Sequence, residues 1–120
     1  MPKERILIVD DEKNIVSSLE GILSDEGYQV SVAGDGLDAL EKIQSDPPDL
    51  VLLDIYLGRR HGLELAEWLQ IHRPDTDVIL LTAANEADVV RRAHRLGVRD
   101  YLVKPFSIER FIEAITACQR

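Results

Sequence analysis

The stretch Leu50-Val51-Leu52-Leu53-Asp54 decides the fold that this sequence predicts. Its four apolar residues follow one another without alternation, which is typical of a strand buried on both faces in the middle of a parallel sheet. Asp54 ends the run and brings a carboxylate to the edge of the core. Ligands of open parallel sheets bind in the crevice beyond the carboxyl ends of the strands. We therefore expect Asp54 to lie in a functional site.

Four further strands and five helices alternate along the chain. The helical segments carry apolar residues at helical spacing, and the connections are short, so the pattern predicts one doubly wound α/β domain with a mostly parallel sheet. We expect Leu37 on the buried face of the second helix and Ile108 on that of the fifth. The predicted strands are Arg5–Val9, Tyr28–Val32, Asp77–Thr82 and Val98–Val103, and the predicted third and fourth helices are Leu63–His72 and Glu86–Leu96.

Composition limits the classes of function. The chain has 120 residues, enough for one domain spanning 1–120, and 45% of them are hydrophobic. A net charge of -8 argues against direct nucleic-acid binding, which needs clustered lysine and arginine. No apolar run approaches the roughly 20 residues that a membrane-spanning helix needs. With a single cysteine, Cys118, and a start that leads straight into a strand, we expect a cytoplasmic protein.

Polar side chains follow four of the predicted strands. Asp10 and Asp11 follow the first, Asp54 ends the third, Thr82 ends the fourth and Lys104 follows the fifth. Each of them taken singly is more often a cap or turn residue, but all four strand ends meet at one edge of a parallel sheet. Carboxylates gathered there repel one another unless they share a cation, and a set of oxygen donors favours Mg²⁺. A carboxylate nucleophile with Mg²⁺, an ammonium and a hydroxyl beside it has the parts that phosphoryl transfer requires.

With these residues the chain resembles the receiver domains of bacterial response regulators, the CheY-like family, along essentially its whole length. The resemblance implies a flavodoxin-like sheet of order 2-1-3-4-5 and a phosphoprotein of a two-component system. Asp54 would accept a phosphoryl group from a sensor histidine kinase or a histidine phosphotransfer protein. The matching residues are Asp10-Asp11, Asp54, Gly62, Thr82-Ala83, Asp100-Tyr101 and Lys104-Pro105-Phe106.

The resemblance also implies a role for each site residue. Asp11, Asp54 and the backbone carbonyl of Tyr56 would bind Mg²⁺, and Asp10 would contribute through water. Thr82 and Lys104 would hold the phosphoryl oxygens, and the Lys104–Pro105 bond would be cis.

The same resemblance implies a conformational switch that passes the signal from the site to an output. Tyr101 would turn inward when Thr82 moves, which would change the face made by the fourth helix, the fifth strand and the fifth helix. That face would regulate a downstream effector domain or protein, and it offers a contact for a homodimer.

Two departures from the family pattern and two alternative functions stay open. Tyr56 and Ala84 stand where side chains overlook the phosphoryl group, and we expect the bulky Tyr56 to shield it from water. A small Mg²⁺-dependent phosphohydrolase with Asp54 as nucleophile is the alternative from the enzyme class. It would need a dedicated acid or base, often a second aspartate two residues after the nucleophile, and in this chain that position is Tyr56. The other alternative is a domain that only docks partners.

Overall fold

A five-stranded parallel sheet forms the centre of the protein. The computed structural model describes residues 5–57, 60–82 and 87–119, with the backbone alone at residues 56, 57, 60, 61, 87, 89 and 90. The sheet order is β2-β1-β3-β4-β5 and every pairing is parallel, which confirms the predicted fold class and strand order. The strands are β1 (Arg5–Val9), β2 (Gln29–Ala33), β3 (Leu50–Asp54), β4 (Asp77–Thr82) and β5 (Asp100–Val103).

Five helices connect or follow these strands in the described part of the chain. They are α1 (Lys13–Asp25), α2 (Gly36–Ser45), α3 (Leu63–His72), α4 (Ala87–Arg95) and α5 (Ile108–Ala117). A two-stranded antiparallel ribbon, Tyr56–Leu57 with Arg60–His61, lies between β3 and α3. None of the helices within the described ranges is both long and apolar enough to cross a bilayer. The predicted start of α4 at Glu86 lies outside the described residues.

Two layers of helices cover the sheet, because successive side chains of a strand point to opposite faces. On one face Ile6, Ile8, Leu50 and Leu52 pack with buried residues of α1 and α5. On the other face Leu7, Val9, Val51 and Leu53 pack with buried residues of α2, α3 and α4. The unbroken apolar runs of β1 and β3 follow from this arrangement, since both of their faces are covered.

Two predicted core residues lie on the surface instead. Leu37 is 71% exposed, because it precedes the buried Ala39 by two residues and so lies about 200° around the helix from it. Ile108 is 60% exposed; it is the first residue of α5 and lies about one turn before Phe111, the first buried residue of that helix. Both assignments to a buried face were wrong.

Candidate functional site

Strand alternation brings three of the predicted site residues to one face of the sheet. Asp10 continues the series Ile6 and Ile8, and Asp54 continues the series Leu50 and Leu52, on the face that α1 and α5 cover. Lys104 follows Leu102 of β5 by two residues, on the same face. The three side chains meet at the carboxyl end of the sheet, as predicted. All the strands are parallel; β1 pairs directly with β3, and only β4 separates β3 from β5.

The Lys104 ammonium group lies at the centre of this site. Its Nζ donates to Oδ2 of Asp10 at 3.1 Å, to Oδ2 of Asp54 at 3.2 Å and to Oε1 of Glu12 at 3.1 Å. Asp10 and Asp54 are buried, and Thr82 at the end of β4 is the third buried polar side chain in the described part of the protein. Buried charges need such partners, because an isolated one costs far more than an exposed one.

Lys104 stays charged in this environment. Burial alone would lower the pKa of the Lys104 ammonium, but hydrogen bonds to Asp10 and Glu12 and the charges of Asp10 and Asp54 outweigh it. The net result is a pKa raised above the ordinary value for lysine. A fixed positive charge therefore adjoins the Asp54 carboxylate throughout the physiological pH range.

The carboxylates of Asp10, Glu12 and Asp54 lie close enough together to hold a divalent cation, and in this structure the Lys104 ammonium bonds all three. One oxygen from each lies within 4.8 Å of the others, and oxygen donors of this kind suit Mg²⁺. The sequence predicted Asp10 and Asp54 here but missed Glu12. Asp11 is exposed and is not among the three, so its predicted metal contact stays a prediction.

Gly62 packs against the backbone of Asp54 and Ile55. Its N–H donates to the carbonyl of Ile55 at 2.5 Å. A Cβ built on Gly62 would collide with the carbonyl oxygen of Asp54 and lie 2.8 Å from the Cα of Ile55. The glycine that the resemblance singled out thus lets the start of α3 close on the end of β3.

Thr82 and Tyr101 share the opposite face of the sheet. Thr82 pairs with Val103 in the register of β4 and β5, so Tyr101 lies diagonally across from it, two residues along. Tyr101 is half-buried against the core of α2, α3 and α4, on the side where Leu80, two residues before Thr82, also points. Diagonal neighbours of this kind come within reach of an aromatic side chain.

Arg110 of α5 holds the backbone of β5 beside Tyr101. Its Nη2 donates to both carboxylate oxygens of Asp100, at 3.0 and 2.9 Å, and to the Tyr101 carbonyl at 3.4 Å. Asp100 in turn accepts from the Tyr101 N–H at 2.8 Å. This cluster, the Asp100–Arg110 clasp, fixes the strand from which the Tyr101 side chain projects.

A cavity of about 710 Å³ adjoins the site between α1 and the segment that leads into α5. Glu12 and Lys104 line it at the end next to Asp54, and Ile15, Phe106 and Ile108 are among its apolar walls. The rings of Phe106 and Phe111 stack 5.9 Å apart on its inner side. The Lys104–Pro105 peptide bond beside it is cis, as the resemblance implied.

Three predicted residues near the site are described only in part or not at all. For Tyr56 the structure describes the backbone, which pairs with His61 in the ribbon, but the side chain lies outside the described residues. Ala83 and Ala84 lie outside them altogether.

The amino-acid sequence matches a family profile and several known proteins. A family profile described as "Response regulator receiver domain" matches residues 6–116. The transcriptional regulatory protein PdtaR of Mycobacterium tuberculosis is 42% identical over 112 residues, which are 92% of this chain and 54% of that protein. Sporulation initiation phosphotransferase F of Bacillus subtilis is 36% identical over 96% of this chain and 93% of its own length.

Solved structures agree with these matches. A CheY-like response regulator receiver domain protein from Methanospirillum hungatei has a TM-score of 0.86 at 32% identity, covering 97% of this chain and 96% of its own. This chain spans about half the length of several of the curated relatives it matches, including PdtaR and the response regulator MprA of Mycobacterium ulcerans.

Proposed function

This chain belongs to the response regulator receiver domain family, and on that premise we propose that it is a phosphoacceptor switch whose acceptor is Asp54. The phosphoryl group would come from a phosphohistidine on a sensor histidine kinase or a histidine phosphotransfer protein. One observation carries the proposal most directly. Asp54 is a buried carboxylate at the end of the central strand, and a lysine ammonium lies 3.2 Å from one of its oxygens.

The chemistry requires one bond exchange at phosphorus. A carboxylate oxygen of Asp54 forms a bond to phosphorus while the phosphorus–nitrogen bond of the donor breaks. The electron pair of that bond stays on the imidazole nitrogen, which takes up a proton, and Asp54 becomes an acyl phosphate. Positioning and charge neutralisation provide most of the catalysis in such transfers.

The site residues divide this work between them. Lys104 would neutralise the phosphoryl oxygens, and the Thr82 hydroxyl would donate a hydrogen bond to one of them. Asp54, Asp11 and the backbone carbonyl of Tyr56 would hold Mg²⁺, and Asp10 would contribute through water. The closeness of the three carboxylates of Asp10, Glu12 and Asp54 supports a divalent-cation site here. When bound, the ion would neutralise charge on the transferring group.

The change of charge on Asp54 would work the switch. A phosphoryl group adds charge and acceptor oxygens, and it would draw Thr82 toward itself. The diagonal placement of Thr82 and Tyr101 on one face supports a movement of Tyr101 into the space that Thr82 leaves. The face of α4, β5 and α5 would then change shape and act on an effector, and a homodimer through that face stays a prediction.

The test is phosphorylation by a small donor. Wild-type protein incubated with acetyl phosphate and Mg²⁺ should gain the mass of one phosphoryl group, mapped to Asp54, and none when Mg²⁺ is chelated. Asp54→Asn should gain none. Asp46→Asn is the matched control, because Asp46 is an exposed aspartate that pairs with Arg5 near the amino end of β1, and it should behave like wild type.

Two results would contradict the proposal. The first is a wild-type protein that takes no phosphoryl group from acetyl phosphate or phosphoramidate. The second is an Asp54→Asn variant that is modified as fully as wild type. Multiple turnover of a small phosphate ester would instead favour the phosphohydrolase.

A further inference from the structure

We propose that Glu12 restrains Lys104 in the unphosphorylated protein and releases it when a phosphoryl group forms on Asp54. The Glu12–Lys104 ion pair thereby couples the phosphorylation state of Asp54 to the cavity between α1 and α5. The proposal deepens the proposed function and depends on it. It makes Glu12 a positioning residue that acts through Lys104.

The number of donors on Lys104 forces an exchange of partners. An ammonium group has three N–H donors, and in this structure Lys104 bonds three carboxylates at nearly equal distances. A phosphoryl group on Asp54 would present its own oxygens to Lys104, one in place of Asp54 Oδ2 and a second as a further acceptor. Either Asp10 or Glu12 must then give up its hydrogen bond to Lys104.

Solvent exposure decides which acceptor is released. The side chains of Asp10 and Asp54 are 0% and 7% exposed, whereas that of Glu12 is 56% exposed. A carboxylate released into water is rehydrated, but a buried one loses its partner without compensation. Glu12 is therefore the partner that Lys104 can leave at the lowest cost.

The backbone around Glu12 permits the exchange without a change in α1. The Glu12 N–H donates to Oδ1 of Asp10 at 2.9 Å, and the Glu12 carbonyl accepts from the Val16 N–H at 3.0 Å. Both bonds use main-chain atoms of Glu12, so they can persist while its side chain rotates away. The release is thus a side-chain movement at a fixed helix start.

The same ion pair ties together two walls of the cavity. Glu12 precedes α1, Lys104 opens the segment that leads into α5, and both line the cavity. The inner side of that segment is held independently, by the stacked rings of Phe106 and Phe111. Loss of the ion pair therefore opens the cavity at the end next to Asp54 and exposes more of its apolar wall, including Ile108.

The experiment uses beryllofluoride with Mg²⁺ as a probe, because it is an anionic mimic of a phosphoryl group that binds to a carboxylate. Its affinity is measured for wild type, Glu12→Ala and Glu12→Gln. Glu109→Gln is the charge-matched control, since Glu109 is an exposed residue in the first turn of α5 and is not one of the carboxylates that bond Lys104. The methyl NMR signal of Ile108 reports on the cavity, with that of the exposed Ile71 of α3 as reference.

Glu12→Ala should bind beryllofluoride about two- to fivefold more tightly than wild type, the range expected for loss of one exposed ion pair. Without the probe, its Ile108 signal should already lie toward the position that wild type reaches when bound. Glu12→Gln should fall between the two proteins. Glu109→Gln should match wild type in affinity and in the Ile108 signal, and Ile71 should stay in place throughout.

Three outcomes would overturn the inference. In the first, Glu12→Ala equals wild type in both affinity and Ile108 position. In the second, Glu109→Gln strengthens binding as much as Glu12→Gln, which would mean a long-range charge effect. In the third, Glu12→Ala loses Mg²⁺ affinity by about tenfold or more and binds the probe more weakly, which would make Glu12 a metal ligand. If wild type itself binds no beryllofluoride and accepts no phosphoryl group, the proposed function fails as well.

Discussion

Gly62 shows how one residue without a side chain controls the position of Asp54, the proposed phosphoacceptor. The Cβ of an alanine here would meet the Asp54 carbonyl oxygen and the Ile55 Cα, both backbone atoms that cannot turn aside. Gly62→Ala should therefore lower the free energy of unfolding by about 1–3 kcal/mol, as overpacking does. It should also slow phosphorylation of Asp54 by about tenfold or more, since misplaced reacting groups react slowly. Chemical denaturation and the rate with acetyl phosphate measure the two effects.

Gly21→Ala is the control for this substitution. Gly21 lies inside α1, and a Cβ added to it would have nothing within 4 Å, so alanine fits there. We expect the substitution to raise the free energy of unfolding by about 0.5–1 kcal/mol, since alanine has the better helix propensity, and to leave the phosphorylation rate unchanged. Equal effects at the two glycines would contradict a steric role for Gly62.

Glu12 is the residue of the site whose position the sequence did not predict. The sequence predicted that Asp10, Asp54 and Lys104 would meet, because the carboxyl ends of parallel strands lie at one edge of the sheet. That rule does not give the direction of the Asp11 and Glu12 side chains in the loop after β1. Their orientation depends on the hydrogen bond from the Glu12 N–H to Asp10 and on the distant Lys104. A third acidic residue directly after Asp10-Asp11 was the available signal.

At the scale of elements, the Asp100–Arg110 clasp joins α5 to β5. Arg110→Met removes the bonds to the Asp100 carboxylate and the Tyr101 carbonyl, so we expect a loss of about 1 kcal/mol in the free energy of unfolding. Hydrogen exchange at the Tyr101 amide should become faster. Arg91→Met is the matched control, because Arg91 pairs with Asp88 on the exposed surface of α4 and should contribute little. A larger loss for Arg91→Met would contradict this interpretation of the clasp.

The helices also show how far sequence patterns reach. The apolar stripe of α5 was confirmed at Phe111 and Ile115 because those residues lie over the sheet. Ile108 belongs to the same stripe, but it lies in the first turn of α5, which borders the cavity. Helical spacing predicts which side of a helix is apolar, whereas burial also depends on what packs against each turn.

For the whole molecule, a shared cation should couple the acidic group to global stability. A ligand that binds only the folded state stabilises it by about 2.7 kcal/mol at a concentration a hundredfold above its Kd. Added Mg²⁺ should therefore raise the melting temperature of wild type, and a chelator should reverse the gain. Asp54→Asn removes one charge from the group of Asp10, Glu12 and Asp54 and should lose most of the gain, whereas Asp46→Asn should keep it. Calorimetry over a range of Mg²⁺ concentrations measures this, and equal gains in wild type and Asp54→Asn would contradict a site at Asp54.

Lys42 of α2 bears on how molecules of this protein meet one another. The Ala33 carbonyl accepts from the Asp10 N–H, so the Val32 carbonyl, one residue earlier, points to the outer side of β2. The Lys42 ammonium donates to that outward carbonyl and also pairs with Asp38. A strand from another molecule that paired with β2 would find the Val32 carbonyl already bonded to the Lys42 ammonium. A lysine at a sheet edge protects against edge-to-edge aggregation in this way. At high protein concentration, the Lys42 contact therefore disfavours strand addition at β2.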